Sequence, residues 1–93
     1  MDTAALAVRD NERDLRYELT RDGEVLGFIN YTPDPGRGRV VLVHTEIDPA
    51  YEGQGLGGLL VKGALDDLRG RGVRAVPHCP FVREYLRQHP EDA

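Results

Sequence analysis

The 93-residue sequence is long enough for one domain and too short for a second lobe. Apolar residues make up 40% of the chain and charged residues 30%, which is typical of a soluble globular protein. The formal net charge of −4 argues against non-specific nucleic-acid binding, which needs a basic surface. We therefore expect a single domain over residues 1–93 with no nucleic-acid partner.

No stretch of the sequence is long and apolar enough to predict a membrane-spanning helix. The N-terminus lacks the basic and apolar regions of a signal peptide. The one cysteine, Cys79, has no second cysteine with which to form an internal disulfide. These features predict a cytoplasmic protein with no membrane partner, in which Cys79 remains a thiol.

The first half of the chain has the periodicity and turn signals of strands. A short strand is predicted over 5–9, and strict alternation of apolar and polar residues predicts a second over 14–20. Asp22-Gly23 indicates a hairpin into a third strand over 24–32. A fourth strand over 40–47 begins with four apolar residues, which favours a central strand covered on both faces.

The second half alternates helix and strand. Apolar residues three and four apart predict a helix that starts near Leu56 and ends near Gly70. A short strand over 73–76 follows, and a last helix begins at Pro80. We expect an α/β fold in the order β-β-β-β-α-β-α, with a mixed, mostly antiparallel sheet of about five strands and a parallel crossover to the last one.

A glycine-rich segment, Gly53-Gln54-Gly55-Leu56-Gly57-Gly58, lies between the fourth strand and the first helix. Glycine costs about 1 kcal/mol relative to alanine inside a helix, so this concentration needs a reason. One interpretation is a phosphate cradle, because bare backbone and free N–H groups at a helix start favour a pyrophosphate. The other is a tight turn with close helix–sheet contact, and glycine content alone leaves both open.

Two phosphate-binding patterns fit this segment poorly. A nucleoside-triphosphate loop needs Lys and then Ser or Thr after its last glycine, whereas Gly57 is followed by Gly58-Leu59. The dinucleotide fingerprint is met formally by three of the glycines. However, five residues separate it from the preceding strand, and no acid ends the next strand.

A third pattern fits: the segment resembles the pyrophosphate loop of the GNAT superfamily of acyl-CoA-dependent N-acetyltransferases. That loop has Gln or Arg, two residues, Gly, one residue, and then Gly or Ala. Gly55 and Gly57 match its glycines, whereas Glu52 stands where Gln or Arg is usual. The resemblance implies that residues 53–58 bind acetyl-CoA as co-substrate, through the backbone, with the Glu52 carboxylate turned to solvent.

The wider sequence is similar to the short, YjdJ-like N-acetyltransferase-domain family over roughly residues 14–91. The similarity is carried by three segments: His44-Thr45-Glu46-Ile47, Val76-Pro77-His78-Cys79-Pro80-Phe81-Val82, and Tyr85 with His89-Pro90-Glu91. It implies a minimal GNAT fold without a helical insert after the first strand and without the final pair of strands. Since those parts help to build acceptor pockets in larger relatives, the acceptor half of the site is expected to be thin.

The resemblance also implies which residues carry the chemistry on the fourth strand. Ile47 and its neighbours would hold the pantetheine arm through backbone hydrogen bonds. His44 and Glu46 are two residues apart and share a face of the strand, so either would take a proton from the incoming amine. We expect His44 to be buried. The alternative to a catalytic role is a core or interface histidine for His44 and a surface carboxylate for Glu46.

Cys79 and Tyr85 are the remaining catalytic candidates. Cys79 precedes a predicted helix start, a position that lowers a thiol pKa, and paired with His44 it would form an acetyl-cysteine intermediate. Its alternative role is that of a small buried hydrophobe. Tyr85 matches a tyrosine that protonates the leaving thiolate in many GNAT enzymes, or else packs on an amphipathic helix.

The expected function is a small acetyl-CoA-dependent N-acetyltransferase. A CoA-binding module without efficient catalysis and an interaction domain that keeps only the fold remain open. So do the acceptor, which is a small-molecule or peptide amine, and the choice between direct transfer and an acetyl-cysteine intermediate. One cysteine and no close histidine pair give no support for a metal site. We expect a monomer or a weak homodimer.

Overall fold

The computed structural model describes residues 5–93, and its elements follow the predicted order. The elements are β1 (Leu6–Asn11), β2 (Arg16–Arg21), β3 (Glu24–Asp34), β4 (Arg39–Ile47), α1 (Leu56–Gly70), β5 (Arg74–Pro77) and α2 (Pro80–Gln88). The strands form one sheet in the order β1-β2-β3-β4-β5. Neighbouring strands pair antiparallel as far as β4, and β4 pairs parallel with β5, as predicted.

One hydrophobic core lies between the sheet and the two helices. α1 contacts every strand, and α2 contacts α1, β4 and β5. Core side chains from the sheet and from both helices, among them Leu42 of β4, Leu60 of α1 and Val82 of α2, are completely buried. The other face of the sheet carries polar side chains such as Asn30, and neither helix lies over it.

The prediction that the fourth strand is central and covered on both faces is wrong. β3 occupies the middle of the sheet, and β4 lies beside the edge strand β5. Leu42 is completely buried, whereas the side chain of Val43 is 39% exposed. An apolar run indicated burial on two faces, but the second face has no helix to cover it.

A β-bulge in β4 changes which residues face the core. Asn30 of β3 pairs with His44, and the next residue, Tyr31, pairs with Leu42, so Val43 is an extra residue in β4. Thr45 pairs with the buried Ile29 and therefore lies on the same face as Leu42. Without the bulge, strict alternation would place His44 on that face instead.

The far end of α1 is joined to the sheet by hydrogen bonds. The Tyr17 hydroxyl donates to Asp67 of α1 over 2.6 Å, and the Tyr31 hydroxyl donates to Asp10 of β1 over 2.6 Å. The Arg71 guanidinium, just beyond α1, contacts both carboxylates.

No helix within residues 5–93 has the length and hydropathy needed to cross a membrane.

Candidate active site

The turn before α1 depends on two glycines in the left-handed region. Gly53 has φ +80° and Gly55, the N-cap of α1, has φ +74°. Side chains rarely adopt this conformation, although there is open space around both positions. The turn therefore exposes the N–H groups at the start of α1, which have no acceptor within the helix, to solvent or to a ligand.

Of the next two glycines, Gly57 and Gly58, only the first is needed for close packing. A Cβ at Gly57 would lie 2.5 Å from Cζ of Phe81, whose ring rests on the first turn of α1. A Cβ at Gly58 would lie 3.8 Å from Tyr85, which is an ordinary contact. Gly53 and Gly55 thus shape the turn, and Gly57 lets an aromatic ring of α2 approach α1. The phosphate cradle stays a prediction.

A cavity of ≈340 Å³ lies between this turn, the end of β4 and α2. It is lined by Thr45, Ile47, Tyr51, Glu52, Gly53, Gly55, Leu56, Gly57, Gly58 and Phe81. The predicted cofactor residues thus surround one cavity, except that Gln54 is exposed and does not line it. Glu52 is also exposed, which lets its carboxylate remain solvated.

From Val43 to Ile47, the edge of β4 beside this cavity pairs with no strand of residues 5–93. Pairing between β4 and β5 ends at Leu42 and Pro77, whereas β4 continues to Ile47. After Pro77 the chain turns away into α2, and the Cys79 N–H donates to the Leu42 carbonyl over 2.8 Å. The strands therefore separate at the position where an extended ligand could bind along the backbone of β4.

Cys79 is the N-cap of α2, and its side chain is only 3% exposed. Its Sγ lies 3.4 Å from Oγ1 of Thr45. Burial raises the pKa of the thiol. Hydrogen bonds from Thr45 and from the backbone N–H groups of Phe81 and Val82 lower it by more, so the pKa lies below its usual value.

His44 and Glu46 share a face, as predicted, but it is the face away from the cavity. Both side chains are exposed, and they pair with Asn30 and Phe28 across the uncovered face of the sheet. The prediction that His44 is buried is therefore wrong. The bulge at Val43 is the cause, and it brings Thr45 to Cys79 in place of His44.

Tyr85 lies near the site, but its hydroxyl is engaged elsewhere. The ring packs near Gly58 and stacks on His89, with ring centres 4.4 Å apart. The hydroxyl donates to Asp92 Oδ2 over 2.6 Å. Burial, together with the Asp92 carboxylate, raises the pKa of Tyr85, which makes it a weaker proton donor in this arrangement.

Sequence reasoning missed three residues that line the cavity. Thr45 was quoted within a motif but received no role, because an unbroken strand would direct it away from the core. Phe81 is 46% exposed and rests on Gly57, a contact that the glycine at position 57 could have suggested. Tyr51 lies in a short 3₁₀ turn after β4, and no sequence pattern indicated that this turn lines the cavity.

One group of side chains within residues 5–93 has the geometry to hold a metal ion. Potential ligand atoms of His89, Glu91 and Asp92 lie within 4.8 Å of one another. The Asp92 carboxylate already accepts hydrogen bonds from Tyr85 and Lys62, however. This group therefore serves to attach the C-terminal segment to the two helices.

The described residues form a mixed α/β fold with a cavity beside its glycine turn. Comparison with known proteins identifies the family. The sequence profile described as GCN5-related N-acetyl-transferase matches residues 16–93. The chain therefore belongs to the GCN5-related N-acetyltransferase family, in a minimal form of the GNAT fold. Its placement in the short YjdJ-like family stays a prediction.

Two solved structures have similar folds. The ribosomal-protein-S18-alanine N-acetyltransferase of Escherichia coli is 33% identical, with a TM-score of 0.56, over 68% of this chain and 39% of the other. A GNAT family acetyltransferase from Brucella melitensis, solved in complex with acetyl-CoA, is 30% identical with a TM-score of 0.58, over 80% of this chain and 54% of the other.

Curated relatives match a shorter segment. The protein NATD1 of Homo sapiens is 34% identical over 55 residues, which are 59% of this chain and 49% of that protein. NATD1 of Gallus gallus shows the same identity over 50% of its length. The chain thus spans about half the length of the curated relatives it matches.

Proposed function

We propose that the protein transfers an acetyl group from acetyl-CoA to an amine. The observation that supports this most directly is the cavity, which joins a left-handed glycine turn at a helix start to an unpaired strand edge. The first feature suits a pyrophosphate, and the second suits the amides of a pantetheine arm. The similar Brucella melitensis structure was solved with acetyl-CoA, which agrees with this choice of co-substrate.

In this proposal the backbone binds most of the cofactor. The N–H groups of residues 53–58 hold the pyrophosphate, and the edge of β4 at Thr45 and Ile47 holds the arm that carries the thioester. Binding through the backbone tolerates Glu52, since its exposed carboxylate can turn away from the phosphates. The thioester then lies toward the end of the cavity lined by Thr45, whose hydroxyl contacts Cys79.

Two routes of transfer are consistent with this arrangement. In direct transfer, the neutral amine attacks the thioester carbon, an N–C bond forms, and the C–S bond breaks. The amine gives up one proton, and the departing CoA thiolate takes up one. In the covalent route, the Cys79 thiolate attacks the acetyl carbon and releases CoA as a thiolate. The neutral amine then attacks the acetyl-cysteine, the C–S bond to Cys79 breaks and restores its thiolate, and the amine proton passes to the CoA thiolate.

The remaining candidates act at the two ends of the reaction. His44 and Glu46 lie on the uncovered face, so either would accept the amine proton if the acceptor approaches from that side. Tyr85 would protonate CoA thiolate only after its hydroxyl leaves Asp92. The acceptor is a small-molecule or peptide amine, and the name of the Escherichia coli neighbour, a ribosomal-protein-alanine acetyltransferase, favours a peptide.

A CoA-binding module without efficient catalysis is the second candidate function. It is favoured by the uncovered face of the sheet, where neither helix builds walls around an acceptor. Both candidates require CoA to bind at the glycine turn, and a third possibility, an interaction domain, does not. A screen of amine acceptors, followed through CoA release, separates the first two candidates.

The binding site is tested by replacing Gly55 with valine. Valine at φ +74° forces the turn into another conformation and misdirects its N–H groups. We expect CoA affinity, measured by calorimetry, to fall at least about tenfold, as expected when one or two charge-assisted hydrogen bonds are lost.

Gly72→Val is the matched control. Gly72 has φ +71° and open space around it, as Gly55 has, but it lies beyond the other end of α1. Both variants should therefore lose similar stability, whereas only Gly55→Val should lose affinity. Unchanged CoA affinity in a folded Gly55→Val protein would show that the pyrophosphate does not bind at this turn.

A further inference from the structure

Thr45 is the polar side chain that connects the cavity to the thiol. It lines the cavity, and its hydroxyl lies 3.4 Å from Cys79 Sγ. Within residues 5–93, no other side chain forms a hydrogen bond with that sulfur. The contact joins β4 to Cys79, the N-cap of α2, at the point where β4 and β5 have separated.

The backbone fixes this contact from both sides. The bulge at Val43 turns Thr45 toward the core, where it pairs with the buried Ile29. On the other side, the Cys79 N–H donates to the Leu42 carbonyl, which anchors the residue to β4 three positions before Thr45. The hydroxyl and the sulfur thus meet because of two backbone features rather than through mobile side chains.

The hydroxyl can serve either protonation state of the sulfur, but it favours the charged one. A thiol and a hydroxyl form a weak hydrogen bond, whereas a hydroxyl that donates to a thiolate forms a stronger, charge-assisted one. Burial at 3% exposure works in the opposite direction, because it disfavours the thiolate. The hydrogen bonds from the Thr45 hydroxyl and from the backbone N–H groups at the start of α2 offset this effect of burial on the thiolate.

No charged side chain of residues 5–93 forms a hydrogen bond with the sulfur. The elements packed around Cys79 carry exposed titratable residues, namely His44 and Glu46 of β4, Lys62 of α1, His78 before α2, and Arg83 and Glu84 of α2. Tyr85 of α2 is half-buried, and its hydroxyl donates to Asp92. Protonation of Cys79 therefore depends on its hydrogen bonds rather than on an ion pair.

We propose that Thr45 is the positioning residue for Cys79: its hydroxyl donates to Sγ, holds the sulfur beside the cavity and stabilises the thiolate. This proposal rests on the proposed function, because a positioned thiolate is what the covalent route requires. In that route the Cys79 thiolate attacks the acetyl carbon, the carbon–sulfur bond to CoA breaks, and CoA leaves as a thiolate. Thr45 keeps its proton throughout.

The test measures the thiolate directly, in the protein without CoA. Because Cys79 is the only cysteine, its ultraviolet thiolate absorbance as a function of pH, with Cys79→Ala subtracted, reports one group. Thr45→Val keeps the shape of the side chain and removes the donor. We expect the thiolate fraction near neutral pH to fall about tenfold, the usual effect of losing a hydrogen bond to a charged group.

Two further variants separate this role from a structural one. Thr45→Ser retains the hydroxyl, and its Cys79 thiol should titrate like that of the wild type. Thr32→Val removes a hydroxyl at an exposed position of β3, and its Cys79 titration should also match the wild type. A Thr45→Val protein that titrates like the wild type, or a Thr45→Ser protein that titrates like Thr45→Val, would overturn the proposal. A loss of stability in Thr45→Val would not by itself explain a Cys79 titration that serine at position 45 keeps at the wild-type value.

The experiment also separates this proposal from the proposed function. Incubation with acetyl-CoA and intact mass measurement would detect an acetyl adduct of about 42 Da on wild type that Cys79→Ala lacks. Thr45→Val should form this adduct about tenfold more slowly, at unchanged CoA affinity. If wild type forms no adduct but the thiolate titration shifts in Thr45→Val, the covalent route is wrong and the assignment of Thr45 stands.

Discussion

One inserted residue decides which side chains reach the candidate site. Val43 adds a residue to β4, so Thr45 and Ile47 line the cavity while His44 and Glu46 face the open side of the sheet. Thr45 therefore contacts Cys79, in the place where the sequence predicted His44. The chemistry at the thiol changes from proton transfer to hydrogen bonding, because a hydroxyl is a poor base.

Glu18 is the charged residue most fully enclosed by its partners. Its side chain is 1% exposed, and it accepts hydrogen bonds from Arg9 and Arg16 over 2.8 Å and from Asn11 over 3.0 Å. Burial raises the pKa of Glu18, but the three hydrogen bonds lower it further, so the net pKa lies below its ordinary value. The carboxylate is thus held charged on the face that no helix covers.

This lowered pKa predicts how stability depends on acid. Because the folded pKa of Glu18 lies below the unfolded one, its contribution is complete above the ordinary pKa of about 4.3 and is lost as pH falls through the folded value. Glu18→Gln should therefore lose about 1–3 kcal/mol at neutral pH and less in acid. Urea unfolding between neutral and acidic pH measures this difference.

Glu46→Gln is the control for this prediction, since Glu46 is an exposed glutamate on the same face of the sheet. It should change stability by only a few tenths of a kcal/mol at any pH, as surface substitutions usually do. A Glu18→Gln protein whose unfolding free energy runs parallel to that of wild type down to acidic pH would contradict the assigned pKa direction.

At the scale of elements, the glycines of α1 have opposite consequences. A Cβ at Gly63 would lie 2.5 Å from Cγ2 and 2.7 Å from Cβ of Val8, which is fixed to β1. A Cβ at Gly58 would lie 3.8 Å from its nearest neighbour, in Tyr85. The helix therefore needs glycine at one position to approach the sheet, and tolerates a side chain at the other.

Two alanine substitutions in this one helix should therefore change stability in opposite directions. Gly58→Ala should stabilise the protein by about 0.5–1 kcal/mol, the helix preference of alanine over glycine. Gly63→Ala should destabilise it by about 1–3 kcal/mol, because overpacking forces Val8 and β1 away from α1. Thermal unfolding of both variants measures this. If Gly63→Ala is as stable as Gly58→Ala, the close approach of α1 to β1 is wrong.

The elements could be predicted because each carries its own local signal. Alternation in 14–20, the Asp22-Gly23 hairpin and the helical spacing after Leu56 gave the element order and the strand pairing. The bulge could not be predicted, since it inserts Val43 into a run of four apolar residues, none of which is unusual in a strand. The same insertion reversed the faces expected for His44 and Thr45, so the glycine turn was located correctly while the surroundings of Cys79 were not.

At the scale of the whole molecule, three tyrosine hydroxyls tie separate elements together. Tyr17 joins β2 to α1 through Asp67, Tyr31 joins β3 to β1 through Asp10, and Tyr85 joins α2 to the C-terminal segment through Asp92. In each case burial raises the pKa of the tyrosine first, and the neighbouring carboxylate raises it further. Each hydroxyl must therefore keep its proton for the elements to stay joined.

These raised pKa values predict unfolding in alkali. Above the ordinary tyrosine pKa of about 10, the unfolded chain releases these protons while the folded protein retains them, so stability falls as pH rises. Three such groups would lower the free energy of unfolding by up to about 4 kcal/mol per pH unit, and Tyr17→Phe should reduce this slope by roughly a third. Urea unfolding at a series of alkaline pH values measures the slope.

The ultraviolet absorbance of tyrosinate from Tyr17, Tyr31 and Tyr85 should rise together with the loss of native circular dichroism, because the buried hydroxyls ionise only when the elements separate. If Tyr17, Tyr31 and Tyr85 ionise near pH 10 while the circular dichroism stays native, these three hydroxyls do not hold the fold together.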